Sequence, residues 1–478
     1  MKPTREQAAI IDAASAEKDL VIQAGAGTGK TSTLKMVARA LGDRRAIYVA
    51  YNRAIAAEAA ASFPGHVICR TAHSLAMQAV GKKYAHRLKG PRELPSRRAE
   101  ILGTSWLDFG PAVQIPPTQV ARIAVDTVMR YCYSADDEIQ VKHVPQQNGV
   151  VGADHDELAR AVLPYAQRAW VDLCDLNGRL KVQHDHYLKM FALTQPKLPT
   201  DVVMLDEAQD SNPVVAALVQ SQGHTQQIVV GDSNQSLYGW RGAVDALAGW
   251  PADEQLYLSQ SWRFGPAIAD EANRWLSQID TPLRLTGNPA IASELVDLDA
   301  PKAVLCRTNA EAMKRVMDLL AADQRVALAG GGADIRRLAQ AAADLKSGRR
   351  TSHPELYVFA TWGALQEYVE HDQAGRDLKP FVDLIDSHGA ETIIDAIDAL
   401  VDEKQATTTV STAHRSKGRE WESVEIAADF PEPTGRDEIP KADAMIGYVA
   451  ITRARKQLDR TGLAWIDHYM RPRVARAS

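Results

Sequence analysis

The stretch DLVIQAGAGTGKTSTLKMVARAL, Asp19 to Leu41, decides the fold. Leu20 to Ile22 reads as a short apolar strand. The run Ala24-Gly25-Ala26-Gly27-Thr28-Gly29-Lys30-Thr31 follows, and then a helical pattern begins. Glycines let such a loop turn tightly and aim backbone N–H groups at an anion, and the helix N-terminus adds its dipole. Lys30 is placed to reach the β- and γ-phosphates of a nucleotide, and the Thr31 hydroxyl to hold Mg2+. The general pattern opens with Gly, whereas this loop opens with Ala24. A ligand-free strand-to-helix turn is the plain alternative. Gly-Lys-Thr at the helix start argues against it.

A nucleoside triphosphate site needs a second strand that ends in an acid. TDVVMLDEAQD, Thr200 to Asp210, supplies it: Val202 to Leu205, then Asp206 and Glu207. Asp206 is expected to bind Mg2+ through its water shell. Glu207 is expected to orient and deprotonate the attacking water. A third strand, ending in Ile228-Val229-Val230, runs into GDSNQSLYGWRGA, Gly231 to Ala243. Turns favour Gly, Pro, Asn and Asp for backbone reasons. Gln235, Tyr238, Trp240 and Arg241 are more than a turn requires.

With AGAGTGKT and LDEAQD in place, the chain resembles a superfamily-one DNA helicase of the UvrD/Rep type. Further blocks match in order: TREQ (Thr4 to Gln7), YVAYNRAIAAEA, TAHSLA, GDSNQSLYGWRGA, LSQSWRFGPAIAD, VLCRTNAEA, STAHRSKGREWESVEI and YVAITRARKQL. The phrasing QSWRFG, HRSKG and AYNRAIA is most like the F-box DNA helicase branch. No F-box is evident in the sequence. The resemblance implies an α/β fold with two RecA-like domains, parallel sheets flanked by helices, and ATP with Mg2+ as cofactors. It implies Gln7 on the adenine, with Trp262 stacking there where many relatives carry Tyr. It assigns Gln235 to sensing the γ-phosphate and the attacking water, with Arg241 able to reach the same phosphate. Arg263 and Arg453 match the arginine fingers, each worth ~10³–10⁵ in rate when in place. Glu420 matches an acid used near the nucleotide. Ser32 departs from the Arg common after the loop Thr.

The same resemblance places single-stranded DNA on aromatic faces and backbone contacts. Base stacking contributes about 1–3 kcal/mol per base. Tyr51, His73, Trp240 and His414 match the aromatic or imidazole positions, with Tyr238 packing the loop. Thr71, Ser74, Arg307, Asn309, Thr412 and Arg415 match candidate backbone contacts. Polarity of 3′ to 5′ follows from the family alone.

Composition leaves room for this reading. The 478 residues are 45% hydrophobic and 24% charged, enough for more than one core. The net charge of -5 does not by itself suggest a polyanion partner, although local basic patches decide that question. No apolar run approaches membrane-spanning length, and the N-terminus has no signal-peptide core. Cys69, Cys132, Cys174 and Cys306 lack CxxC spacing and read as reduced thiols. A cytoplasmic location and a bacterial or phage origin are expected.

The first motor domain is expected at 1–78 and 186–262, split by a helical insertion over 79–185. The second is expected at 263–333 and 405–478, split by a short helical insertion over 334–404. A nuclease module after the last block is not expected. Lys82, Lys83, Arg87, Lys89, Arg92, Arg97 and Arg98 form a basic cluster, read equally as a duplex contact or a solvated face. Partners implied are single-stranded DNA and duplex junctions, with recombination or replication proteins open and the oligomeric state unassigned. Two rivals stay open: a translocase that strips proteins from single strands but unwinds poorly, and a DNA-binding regulator that uses ATP only as a switch.

Overall fold

The computed structural model describes residues 2–91, 93–109, 114–237, 245–371, 378–433 and 438–470. The chain divides into two compact units. One comprises Met1–Ala24 and Gly29–Leu258, the other Gly25–Thr28 and Ser259–Ser478.

The first unit is built on β1 (Leu20–Ala24), β2 (Ala46–Val49), β3 (Val67–Arg70), β6 (Val202–Leu205), β7 (Gln226–Gly231) and β8 (Glu254–Leu258), in the order β3-β2-β6-β7-β1-β8. Every neighbouring pair is parallel. Strand side chains alternate between faces. Leu20, Ile22, Met204, Ile228 and Val230 join Ile10, Leu34 and Val37 in one core, whereas Val21, Val203, Leu205 and Val229 join Leu188, Val219 and Trp250 in another. Both faces of the inner strands are covered, which is why β1, β2 and β6 read as continuous apolar runs instead of alternating ones.

Local chemistry sets the helices that matter. The helix Lys30–Ala40 buries Thr33, Leu34, Val37 and Ala38 on one stripe. It starts where Gly27 (φ 73) and Gly29 (φ 79) take the left-handed conformation that only glycine adopts cheaply. Thr4 caps the helix Arg5–Ser15 in a capping box with Gln7.

Between β3 and β6 the chain is mainly helical, with Pro117–Tyr133 and Ala153–Cys174 as its longest helices. It also holds a short antiparallel pair, β4 (Leu107–Asp108) with β5 (Gln114–Ile115). The expected basic cluster loses one member here. Arg87 is buried, paired with Asp172 at 3.1 Å, and donates to the carbonyls of Asp172, Leu173, Asp175 and Leu180. Its charge serves the C-terminal end of a helix, where free carbonyls need donors. Arg97 and Arg98 pair with Glu100 and Glu93, and Arg92 lies outside the described residues.

The second unit carries a parallel sheet of β9 (Glu294–Leu295), β10 (Ala303–Cys306), β11 (Val326–Leu328), β12 (Thr408–Thr412), β13 (Trp421–Ile426) and β14 (Ala454–Asp459), ordered β11-β12-β10-β13-β14-β9. Among the described residues four helices, Ala333–Lys346, Trp362–His371, Lys379–His388 and Ala390–Asp398, lie between β11 and β12 in sequence. They share a core with β10, β11 and β12 through Ile335, Leu345, Trp362, Leu365, Ile385 and Ile393. All four cysteines are free thiols. No helix among the described residues is long and apolar enough to cross a membrane.

Candidate active site

The carboxyl ends of parallel strands are where open α/β sheets place their ligands. In the first unit β1 runs out toward the glycine loop, β6 ends at Leu205 just before Asp206, and β7 ends at Gly231. Lys30 and Glu207 meet there, with Nζ 3.2 Å from Oε1. The Thr31 hydroxyl donates to Asp206 Oδ2 at 3.1 Å. Lys30, Thr31, Asp206 and Glu207 therefore form one constellation from two separate motifs.

Electrostatics hold it in a defined state. Burial alone would depress the Lys30 ammonium, but Glu207, Asp232 and Asp206 outweigh that and raise its pKa. Burial and the neighbouring Glu207 charge push the Asp206 carboxyl up, against donors that favour its ionised form. Glu207 has φ 51 and ψ 44, a left-handed conformation unusual for a side-chain-bearing residue. Such strain is kept where surrounding contacts over-determine it, and it concentrates at functional sites.

Mg2+ prefers hard oxygen ligands and keeps several waters. The Thr31 hydroxyl beside the Asp206 carboxylate is an oxygen pair of that kind. Among the described residues no group of His, Cys, Asp or Glu forms a metal cluster of its own. A cation here would complete its shell with water and phosphate.

Gln209 is a part the sequence reading missed. It is buried, its Oε1 accepts the Asp232 N–H at 2.9 Å, and its Nε2 donates to Glu207 Oε2 at 2.7 Å and Asp210 Oδ2 at 3.2 Å. Gln235 donates in turn to Asp232 Oδ2 at 2.5 Å. A continuous hydrogen-bond path thus joins Glu207 to the loop after β7. Gly231 permits it, because a Cβ there would lie 2.3 Å from Gln209 Oε1. Gln209→Leu breaks both ends of the bridge without a large change of volume. Turnover is expected to fall at least about tenfold while ATP affinity changes less than about threefold. Steady-state kinetics with a nucleotide-binding titration checks this, and unchanged turnover would contradict it.

The remaining expected residues fall as follows. Gln7 is buried; its Oε1 accepts the Thr4 N–H and its Nε2 donates to Thr33 Oγ1 at 3.1 Å. Ala24, Ala26 and Thr28 are buried, and the Thr28 hydroxyl donates to the Gly25 carbonyl. Tyr51 is 53% exposed. His73 Nε2 lies 2.9 Å from Asp185 Oδ1. Thr71 and Ser74 form a reciprocal cap on the helix Ala72–Ala79. Trp240 and Arg241, with Tyr238, lie outside the described residues.

In the second unit Arg263 Nε is 2.7 Å from Glu420 Oε2, and its Nη1 donates to the Thr452 carbonyl at 3.0 Å. Arg453 is 1% exposed, with Nε donating to the Val449 carbonyl and Nη2 to Thr452 Oγ1. Trp262 is 45% exposed. Asp429, which no sequence signal marked, accepts the N–H groups of Arg307 and Thr308 at 2.8 Å each and orients the turn leading into Asn309. His414 is pulled below its usual pKa by burial and by the Arg307 charge. Thr412 Oγ1 accepts the Arg415 N–H, and Arg415 Nη2 lies 3.3 Å from Asp334 Oδ2.

A family model described as an AAA domain matches residues 7–241, a span that contains this whole first-unit constellation. F-box DNA helicase protein 1 of Schizosaccharomyces pombe is 28% identical over 485 residues, covering 92% of this chain and 55% of that protein. The chain is similar to the superfamily-one DNA helicases. Within that superfamily it is similar to the F-box DNA helicase branch, since F-box DNA helicase 1 of Gallus gallus is also 28% identical, over 96% of this chain and 49% of its own length. A probable DNA helicase of Mycoplasma pneumoniae is 36% identical over 84 residues, 16% of this chain. The chain spans about half the length of the F-box relatives it matches.

Proposed function

We propose that this chain is a DNA-dependent ATPase that uses Mg-ATP to move along single-stranded DNA from 3′ to 5′ and to open duplex junctions. One observation carries the reading. Lys30, Thr31, Asp206 and Glu207 converge, and Gln209 links the candidate base Glu207 to the loop that resembles the family's DNA-coupling block. A phosphate-binding lysine beside an acid and a hydroxyl–carboxylate oxygen pair is suited to phosphoryl transfer to water. Arg263, with Glu420 and Thr452 holding its guanidinium, and the buried Arg453 are the candidates for stabilising transition-state charge. The relatives named as DNA helicases support DNA as the substrate. Tyr51, His73, Arg307, Asn309, His414 and Arg415 are the candidate contacts to it.

Strand displacement on 3′-tailed against 5′-tailed duplexes tests activity and polarity together. Unwinding of the 3′-tailed duplex alone is expected, and preference for the 5′ tail would overturn the polarity.

A second reading has its own observation. Among the described residues the segment between β11 and β12 holds four helices over 333–398, a short insertion. That favours a motor that clears proteins from single strands and unwinds poorly. A filament-disruption assay run beside strand displacement separates the two.

A further inference from the structure

Asp206 is 2% exposed, and donors already address both of its oxygens. Oδ1 accepts the Glu207 N–H at 2.9 Å, and Oδ2 accepts the Thr31 hydroxyl at 3.1 Å. A third donor comes from outside both motifs: the Tyr48 hydroxyl lies 2.5 Å from the same Oδ2. Tyr48 stands on β2, which neighbours β6 in the sheet, and it pairs in register with Met204. Its ring is fully buried and tilted against Phe63, with centroids 4.8 Å apart. A rigid, packed aromatic stem thus delivers one hydroxyl to the oxygen that also faces Thr31.

We infer that Tyr48 is a positioning residue for the Asp206 carboxylate, fixing its orientation toward Mg2+ and favouring Mg2+ over larger divalent cations; this rests on the nucleotide-site reading above. The carboxylate torsion is intrinsically broad, so direction must come from neighbours. Mg2+ demands near-ideal octahedral geometry, whereas Ca2+ accepts irregular shells. A carboxylate pinned through both oxygens offers its remaining lone pairs in one direction, which suits the stricter ion. Released from Tyr48, the carboxylate turns more freely. A tolerant ion can follow it, but a strict one loses affinity. A tyrosine that merely filled the core would alter stability without distinguishing cations.

The test uses the full chain and fluorescent ADP, titrated in EDTA, in Mg2+ and in Ca2+. For Tyr48→Phe the affinity in EDTA is expected to match the wild type. The gain in affinity from Mg2+ falls about tenfold, the effect of one hydrogen bond to a buried charged group. The gain from Ca2+ falls much less. Phe63→Leu loosens the packing of the ring but keeps the hydroxyl, so it is expected to lower the melting temperature and retain the Mg2+ gain. An unchanged Mg2+ gain in Tyr48→Phe, equal losses for Mg2+ and Ca2+, or the same pattern in Phe63→Leu would each overturn the inference. A wild-type protein with no Mg2+-dependent gain would instead overturn the nucleotide-site reading itself.

Discussion

Lys30→Ala is expected to lower ATP turnover by at least about a thousandfold, the scale of removing a principal electrostatic stabiliser from a phosphoryl-transfer site. The reason lies in the local charge balance. Lys30 is the cation that Glu207, Asp232 and Asp206 surround, and their combined field keeps it protonated despite burial. Alanine removes the partner 3.2 Å from Glu207 and leaves these carboxylates without a facing ammonium. A polyphosphate then meets net repulsion where it met attraction. Nucleotide affinity is expected to fall as well. Lys30→Arg is not expected to restore activity, because a planar guanidinium replaces a compact point charge. Phosphate-release kinetics with a nucleotide titration reads both effects. Near-normal hydrolysis by Lys30→Ala would contradict the assignment of the glycine loop.

Glu207→Gln separates binding from chemistry. The change keeps the shape of a residue held at φ 51 but removes its basicity. Gln209 and Lys30 both donate toward Glu207. A neutral amide keeps an oxygen for one of them, so the local structure survives. Loss of a general base typically costs about 10²–10⁴ in rate. Turnover is therefore expected to fall by about that range, with ATP affinity retained within about threefold. A single-turnover experiment on a preformed complex measures the chemical step directly. Hydrolysis at the wild-type rate would remove Glu207 from the chemistry and leave it as an ion-pair partner of Lys30.

The parts legible in the sequence are those whose chemistry is local. The glycine loop between a strand and a helix, and the acids at the end of Val202–Leu205, each need only a short window to be read. The contacts that hold those acids depend on strand order instead. Tyr48 reaches Asp206 because β2 neighbours β6, and Gln209 reaches the Asp232 N–H because β7 neighbours β6. Nothing within AIYVA distinguishes Tyr48 from an ordinary core aromatic. Gly231 looked like the start of a turn, yet its missing side chain makes room for Gln209. Arg87 misled for the opposite reason: charge pattern along a sequence does not say which face is buried, and its guanidinium went to helix-end carbonyls. Thr71 and Ser74 carry a cap that the sequence also encodes, alongside the block resemblance that marked them.

ATP hydrolysis at Lys30, Asp206 and Glu207 is expected to be driven by single-stranded DNA. The most direct measurement is steady-state ATP hydrolysis by the wild-type chain titrated with a single-stranded oligonucleotide, with Lys30→Ala as the blank. The expected rate climbs with DNA to a saturating plateau in the wild type and stays at background in the variant. A wild-type rate indifferent to DNA would contradict it.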